Sequence, residues 1–249
     1  MPRYFLEVSY KGTDYSGFQA QENANSIQAE VEKAFSTYFR EPIEMTGSSR
    51  TDTGVHALQN FFHFDSPVNI PEQALYNINS ILPRDIAALT LRPVLPDAHC
   101  RFDAHSREYR YYVYRDKDPF LNDRAFYYPY SLDIEKLQAA AEIIIVFADF
   151  SAFSKRNTQV KNFICTIYKS NWARENNCWV YGVQANRFLR GMVRGLVGTM
   201  LQVGRSKISL GQFESILKNK DASQTDFSVP GHGLFLARVY YGEDLFIPS

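Results

Sequence analysis

The chain has 249 residues, and its 27 Lys plus Arg balance 27 Asp plus Glu; 45% of the residues are hydrophobic and 22% are charged. This composition is that of a globular protein with a sizeable core, and it excludes a disordered chain. It also argues against a membrane span: no apolar run approaches the ~18–20 residues needed, and the longest, "AAAEIIIVFA", is broken by Glu142.

In chain order, "RYFLEVSY" alternates, with Tyr4, Leu6, Val8 and Tyr10 on one face, and reads as a strand. The N-terminus has no long apolar region of the signal-peptide kind, so a cytoplasmic protein is expected. A glycine-punctuated loop, "KGTDYSGF", precedes a helix with Ile27, Val31, Ala34, Phe35 and Tyr38 at helical spacing and Asn25 or Ser26 as its cap. "LQNFFHFD" reads as a strand, "IPEQALYNINSIL" as a helix starting near Pro71, and "IAALTLRPV" and "REYRYYVYR" as strands. "LDIEKLQAAAEIIIVF" is a helix capped by Asp133; "FICTIYKSNWAR" and "NCWVYGVQA" form a strand pair. "NRFLRGMVRGLVGTMLQVG" is expected to be one long helix capped by Asn186 and ending before Gly204, followed by a shorter helix, "ISLGQFESILKNK", and a last strand, "GLFLARVYY". The pattern predicts an α+β fold with a mixed, largely antiparallel central sheet flanked by helices. Two halves are expected, residues 1–105 and 106–249.

Cys100, Cys165 and Cys178 are too far apart in sequence for a disulfide framework or a zinc set, and His56, His63, His99, His105 and His232 lack ligand spacing. No metal and no cofactor are expected. Zero net charge argues weakly against nucleic-acid binding, which needs only a local basic surface.

Three segments carry chemistry. In "GSSRTDTGVHA", Arg50 and Asp52 are two residues apart, so in an extended loop they face the same way. A carboxylate so placed can act as nucleophile or base; the plainer reading is a turn-capping Asp with Arg50 as a surface partner. Ser48, Ser49, Asp52 and His56 lie close together but lack the elbow motif of a serine hydrolase. On the expected long helix, Arg187, Arg190 and Arg194 form one stripe, either a solvated face or a phosphate-binding surface. Gly191, Gly195 and Gly198 form another, which suggests close backbone packing against the sheet or a partner. In "RFDAHSREYRYYVYR", four arginines interleave with four tyrosines and Phe102. That mixture suits RNA, whose bases stack on rings; the alternative is an aromatic-rich strand with half its rings in the core.

Together these segments resemble the tRNA pseudouridine synthase A family. "YKGTDYSGFQAQ", "SSRTDTGVHA", "ILPRDIA", "CRFDAHSREYRYYVY", "DFSAF", "NRFLRGMVRGLVGTMLQVG" and "GLFLARV" follow in the family's order from about Tyr4 to Tyr241. The resemblance implies the pseudouridine synthase fold, two similar halves about a central basic cleft. It implies that Asp52 is the nucleophile, that Arg50 enters the RNA stem in place of a flipped base, that Tyr109 stacks on the target uracil, and that Arg194 pairs with Asp52. It further implies a homodimer acting on uridines of the tRNA anticodon stem-loop, at about positions 38 to 40. The chain departs from the family pattern at Phe18 (usually Trp), Ser49 (usually Gly) and Thr53 (usually Ala), all mild changes. Gly191 and Arg190 replace larger aromatic or His residues. Two competing classes are an RNA-binding protein without catalysis and a nucleoside hydrolase using Asp52.

Overall fold

A computed structural model describes residues 1–71, 73–155, 160 and 162–247. In chain order its strands and helices are β1 (Arg3–Tyr10), α1 (Ile27–Phe39), β2 (Thr46–Gly47), β3 (His56–Asp65), α2 (Ala74–Ile81), β4 (Ile86–Val94), β5 (Ser106–Tyr114), β6 (Phe126–Tyr127), α3 (Ile134–Ile143), β7 (Ile167–Glu175), β8 (Cys178–Ala185), α4 (Met192–Gly204), α5 (Leu210–Asn219) and β9 (Leu234–Tyr240). The fold is α+β with largely antiparallel strand pairing. The chain forms two compact units, one of Met1–His105 with Leu236–Ser249 and one of Ser106–Phe235.

In the first unit, β1 pairs antiparallel with both β3 and β4, and β2 pairs with β3. Phe5, Leu6, Val8 and Tyr10 of β1 are buried, as are Phe61, Phe62 and Phe64 of β3. β1 slips register against both neighbours between Glu7 and Tyr10, the irregularity that twists a strand end and re-aims its side chains. Helix α1 starts where Ser26 accepts from the Ala29 amide, and it buries Ile27, Val31, Ala34 and Phe35 along one face. Helix α2 starts at Ala74 rather than near Pro71; Pro71 instead takes the Ala74 amide on its carbonyl in the preceding turn.

In the second unit, β8 lies between β5 and β7, antiparallel to both, and the short β6 is parallel to β5. Helix α3 begins at its Asp133 cap and packs on β7 and α4, burying Leu137, Ala140 and Ala141. Helix α5 begins with a reciprocal pair of bonds between Ser209 and Gln212.

Candidate active site

The segment 48–55 is a loop between β2 and β3 whose backbone is fixed from many sides. The Ser48 amide donates to Phe61 O (2.7 Å), and the Val55 amide closes a turn on Asp52 O (3.1 Å). Phe18 donates its amide to Thr51 O (3.1 Å), and Thr53 donates its hydroxyl to Ser16 O (3.0 Å). The Asn60 amide group donates to Ser49 O (2.9 Å) and to Tyr10 Oη (3.2 Å), while the Tyr10 and Thr51 hydroxyls share a 2.8 Å bond. His56 is buried and accepts the Gly12 amide on Nδ1 (3.0 Å), so it serves the fold rather than a Ser–His pair. Two glycines let this cradle close. A Cβ on Gly12 would lie 2.0 Å from Val55 O, and Gly17, at φ 121°, faces Thr51 O where a Cβ would stand 3.1 Å away. Gly47 leaves room for the Phe18 ring, which stacks on Phe62 at 4.8 Å.

Ser48, Ser49 and Thr51 are buried, Arg50 is exposed and Asp52 is half-buried. The hydroxyls of Ser48, Ser49 and Thr51 lie inside the cradle, whereas Arg50 reaches solvent. Sequence reading singled out Arg50 and Asp52 but missed Tyr10, Asn60 and Gly12. The available signal was a polar Asn60 directly before the aromatic pair of "NFF" on a strand.

In the second unit, Tyr109 on β5 is largely buried and meets Phe188 edge to face, with ring centroids 5.0 Å apart. Arg194 sits in the first turn of α4 and donates through Nε to Val229 O (2.8 Å). The expected long helix from Asn186 does not form. Asn186 instead exchanges two bonds with Thr166, its amide to Thr166 O (3.1 Å) and Thr166 N to its Oδ1 (2.8 Å). Gly191 at φ 74° then turns the chain into α4, and Gly204 is the last helical residue. Arg187 and Arg190 therefore precede the helix, and the stripe they were expected to share with Arg194 does not exist. Of the three expected glycines, Gly191 meets the Lys155 side chain, and Gly195 and Gly198 pack on the segment 225–227: a Cβ on Gly198 would lie 2.2 Å from Asp226 O, and one on Gly195 2.7 Å from the Phe227 ring. Thr199 Oγ1 accepts the Asp226 amide (3.1 Å), and Gln202 donates to Asp226 Oδ2 (2.9 Å). The close approach of this segment puts Val229 O beside Arg194.

Much of the Arg/Tyr mixture at 101–115 serves the fold. Tyr111 and Tyr114 are buried; Tyr111 donates to Pro230 O (2.9 Å), and burial raises its ionisation far above the usual phenol range. Arg110 forms an ion pair with Glu175, and Arg107 donates to Asn186 O (3.2 Å). Arg101 and Phe102, by contrast, lie in the first unit on an exposed turn. In that unit His63, His99 and Cys100 bring their potential ligand atoms within 4.8 Å of one another, a grouping that sequence spacing did not foresee. It is internally bonded: His63 Nδ1 lies 3.2 Å from Cys100 Sγ, which is also 3.1 Å from Thr46 O. Burial lowers the His63 pKa to about 4.

The sequence signature of tRNA pseudouridine synthases matches residues 7–103 and 147–242. The chain belongs to the tRNA pseudouridine synthase family. Relatives align over nearly the full chain. The tRNA pseudouridine synthase A of Parabacteroides distasonis is 41% identical over 99% of this chain and 98% of its own length. The protein of the same description from Porphyromonas gingivalis is 42% identical over 99% of this chain and all of its own. That of Staphylococcus saprophyticus is 37% identical over 96% and 90%, respectively. The family signature spans Arg50, Asp52 and Arg194 but not Tyr109, which only the longer alignments cover.

Proposed function

We propose that the protein is a tRNA pseudouridine synthase that isomerises uridine to pseudouridine in the anticodon stem-loop, at about positions 38 to 40. The observation that carries this reading is the full-length likeness to relatives of that description, joined to a loop that holds the Asp52 backbone through bonds from β1, β3 and the segment before α1. In the reaction the C1′–N1 bond breaks, the uracil turns, and a C1′–C5 bond forms. C5 loses its proton and N1 gains one. Electrons balance with no oxidant, reductant or cofactor. Asp52 is assigned as the nucleophile. The target base must leave the stack, at a cost of a few kcal/mol, and the exposed Arg50 is assigned to fill the space it vacates. Tyr109 is assigned to stack on the flipped uracil, and Arg194 to pair with Asp52 and orient it.

A homodimer acting in the cytoplasm fits the same reading. Among the described residues no helix is long and apolar enough to cross a membrane. The test is incubation of the purified protein with tRNA tritiated at uracil C5. An isomerase releases tritium to water and leaves the strand intact. Release of labelled uracil would instead mark a nucleoside hydrolase, and RNA binding with neither product would mark an inactive binder.

A further inference from the structure

The turn His99–Asp103 presents an aromatic ring that no packing requirement explains. Phe102 is 74% exposed, yet its backbone is firmly held. The Phe102 and Asp103 amides both donate to His99 O (3.1 and 3.0 Å), and Asp103 Oδ2 takes the His99 amide (2.7 Å). The Arg101 amide donates to His99 Nδ1 (3.2 Å). Beneath the turn, fully buried Cys100 donates its thiol to Thr46 O, and Tyr241 donates its hydroxyl to Cys100 O. The ring is thus pre-organised at little further entropic cost on binding.

Its surroundings say what it meets. Phe102 meets His99 at 4.2 Å with the rings tilted by 36°, and His99 in turn meets His63 at 4.5 Å. The Arg101 guanidinium lies 5.8 Å from the Phe102 ring. Phe102, His99 and Arg101 line one cavity of about 210 Å³ together with Arg50, Phe18 and Gln28, and no acidic side chain of the described residues lines it. An exposed ring beside one arginine, in a cavity that a second arginine also lines, suits an anionic strand with planar faces: a base stacks on the ring while the guanidinium groups meet phosphate.

We propose that Phe102, backed by His99, beside Arg101 and sharing a cavity with Arg50, forms a stacking subsite for a nucleobase of the RNA strand close to the target uridine. This rests on the function proposed above and adds to it a second base-holding position. Because every base has a π-face, the subsite supports binding without choosing a sequence.

The experiment uses the full protein and an anticodon stem-loop RNA. Single-turnover rates are measured against enzyme concentration for Phe102→Tyr, Phe102→Leu and Phe102→Ala; the exposure of Phe102 makes all three compatible with folding. The half-saturating concentration is expected to rise about 10-fold or more in the Leu and Ala variants, equally for stem-loops of different sequence, with the Tyr variant close to wild type. The saturated rate should change by no more than about 3-fold, and the salt dependence of binding should stay as in wild type, since no charge is removed. Wild-type half-saturation in Phe102→Leu and Phe102→Ala overturns the subsite, as does a Tyr variant as weak as Ala. The outcome is separable from the isomerase reading. If wild type releases no tritium but Phe102→Leu still weakens stem-loop binding, the subsite stands and the enzymatic reading falls.

Discussion

The hydroxyls of Tyr10 and Thr51 share a buried hydrogen bond of 2.8 Å, and the Asn60 amide group joins it at Tyr10 Oη (3.2 Å). Tyr10→Phe keeps the ring and leaves both partners short of one bond. The expected cost is about 1–3 kcal/mol of stability, read as a lower urea midpoint. The single-turnover rate should fall by about 10-fold or more, because Asp52 follows Thr51 directly and small displacements of a reacting group are costly. Thr51→Val should mimic the change, and the double variant should lose less than the sum of the two. Unchanged rate in Tyr10→Phe would mean that this bond does not hold the loop in place.

Asp52→Asn is nearly isosteric but a poor nucleophile. Turnover is expected to vanish while stem-loop affinity stays within about 3-fold of wild type, since the phosphate contacts that dominate affinity are untouched. Tritium release within tenfold of wild type would remove Asp52 from the chemistry.

Tyr109 separates ring from hydroxyl. Phe in its place should keep the stacking surface and most activity, whereas Ala should cost ~1–3 kcal/mol in the bound state. The edge contact with Phe188 would also be lost in the Ala variant, so circular dichroism and a urea midpoint accompany the rate measurement. Equal rates in the two variants would end the stacking role.

For the proposed pairing of Arg194 with Asp52, the arginines that precede α4 serve as controls. Arg194→Met should abolish turnover with the fold intact. Arg194→Lys should retain a fraction, because an ammonium supplies charge without the planar fork. Arg187→Met and Arg190→Met should affect half-saturation mildly and the saturated rate little. Similar saturated rates for all three Met variants would sink the pairing.

Gly198 and Gly195 make a graded pair. Alanine favours a helix over glycine by ~1 kcal/mol, but a Cβ on Gly198 meets the Asp226 carbonyl oxygen at 2.2 Å, and backbone must move. Gly198→Ala is expected to lose about 1–3 kcal/mol net and, through the displaced 226–229 segment, to loosen Arg194. Gly195→Ala meets the ends of the Phe227 and Thr225 side chains, which can rotate away, and should lose less. Denaturant melts of the two variants decide the order, and a stabilised Gly198→Ala would refute the packing argument.

The strands and the capped helices were legible because their signals are local. Ser26 and Asp133 stand just before apolar residues of helical period, and β4 and β5 keep their runs unbroken. The start of α4 was not legible. Asn186 is a good cap by type, but it was drawn into bonds with Thr166, 20 residues earlier, and periodicity carries no information about such a partner. Within the arginine-rich stretch the same limit applies to one member: Arg110 is taken by Glu175, 65 residues on. At the candidate site, Arg50 and Asp52 stood out by their charge among small residues, whereas Tyr10 and Asn60 looked like ordinary strand residues. Their importance lies in what they touch.

The tethers of the 48–55 loop have a kinetic consequence. Thr53 to Ser16, Tyr10 to Thr51 and Gly12 to His56 span 37, 41 and 44 residues, so the loop cannot acquire its shape from its own sequence. Non-local pairings form late because chain closure must come before they stabilise anything. The site loop therefore sets only with the long-range pairing of β1 and β3, Arg3 opposite Asp65, that brings its tethers together. Recovery of turnover should trail the recovery of helical signal, which makes the enzyme's own reaction a clock for completion of its fold.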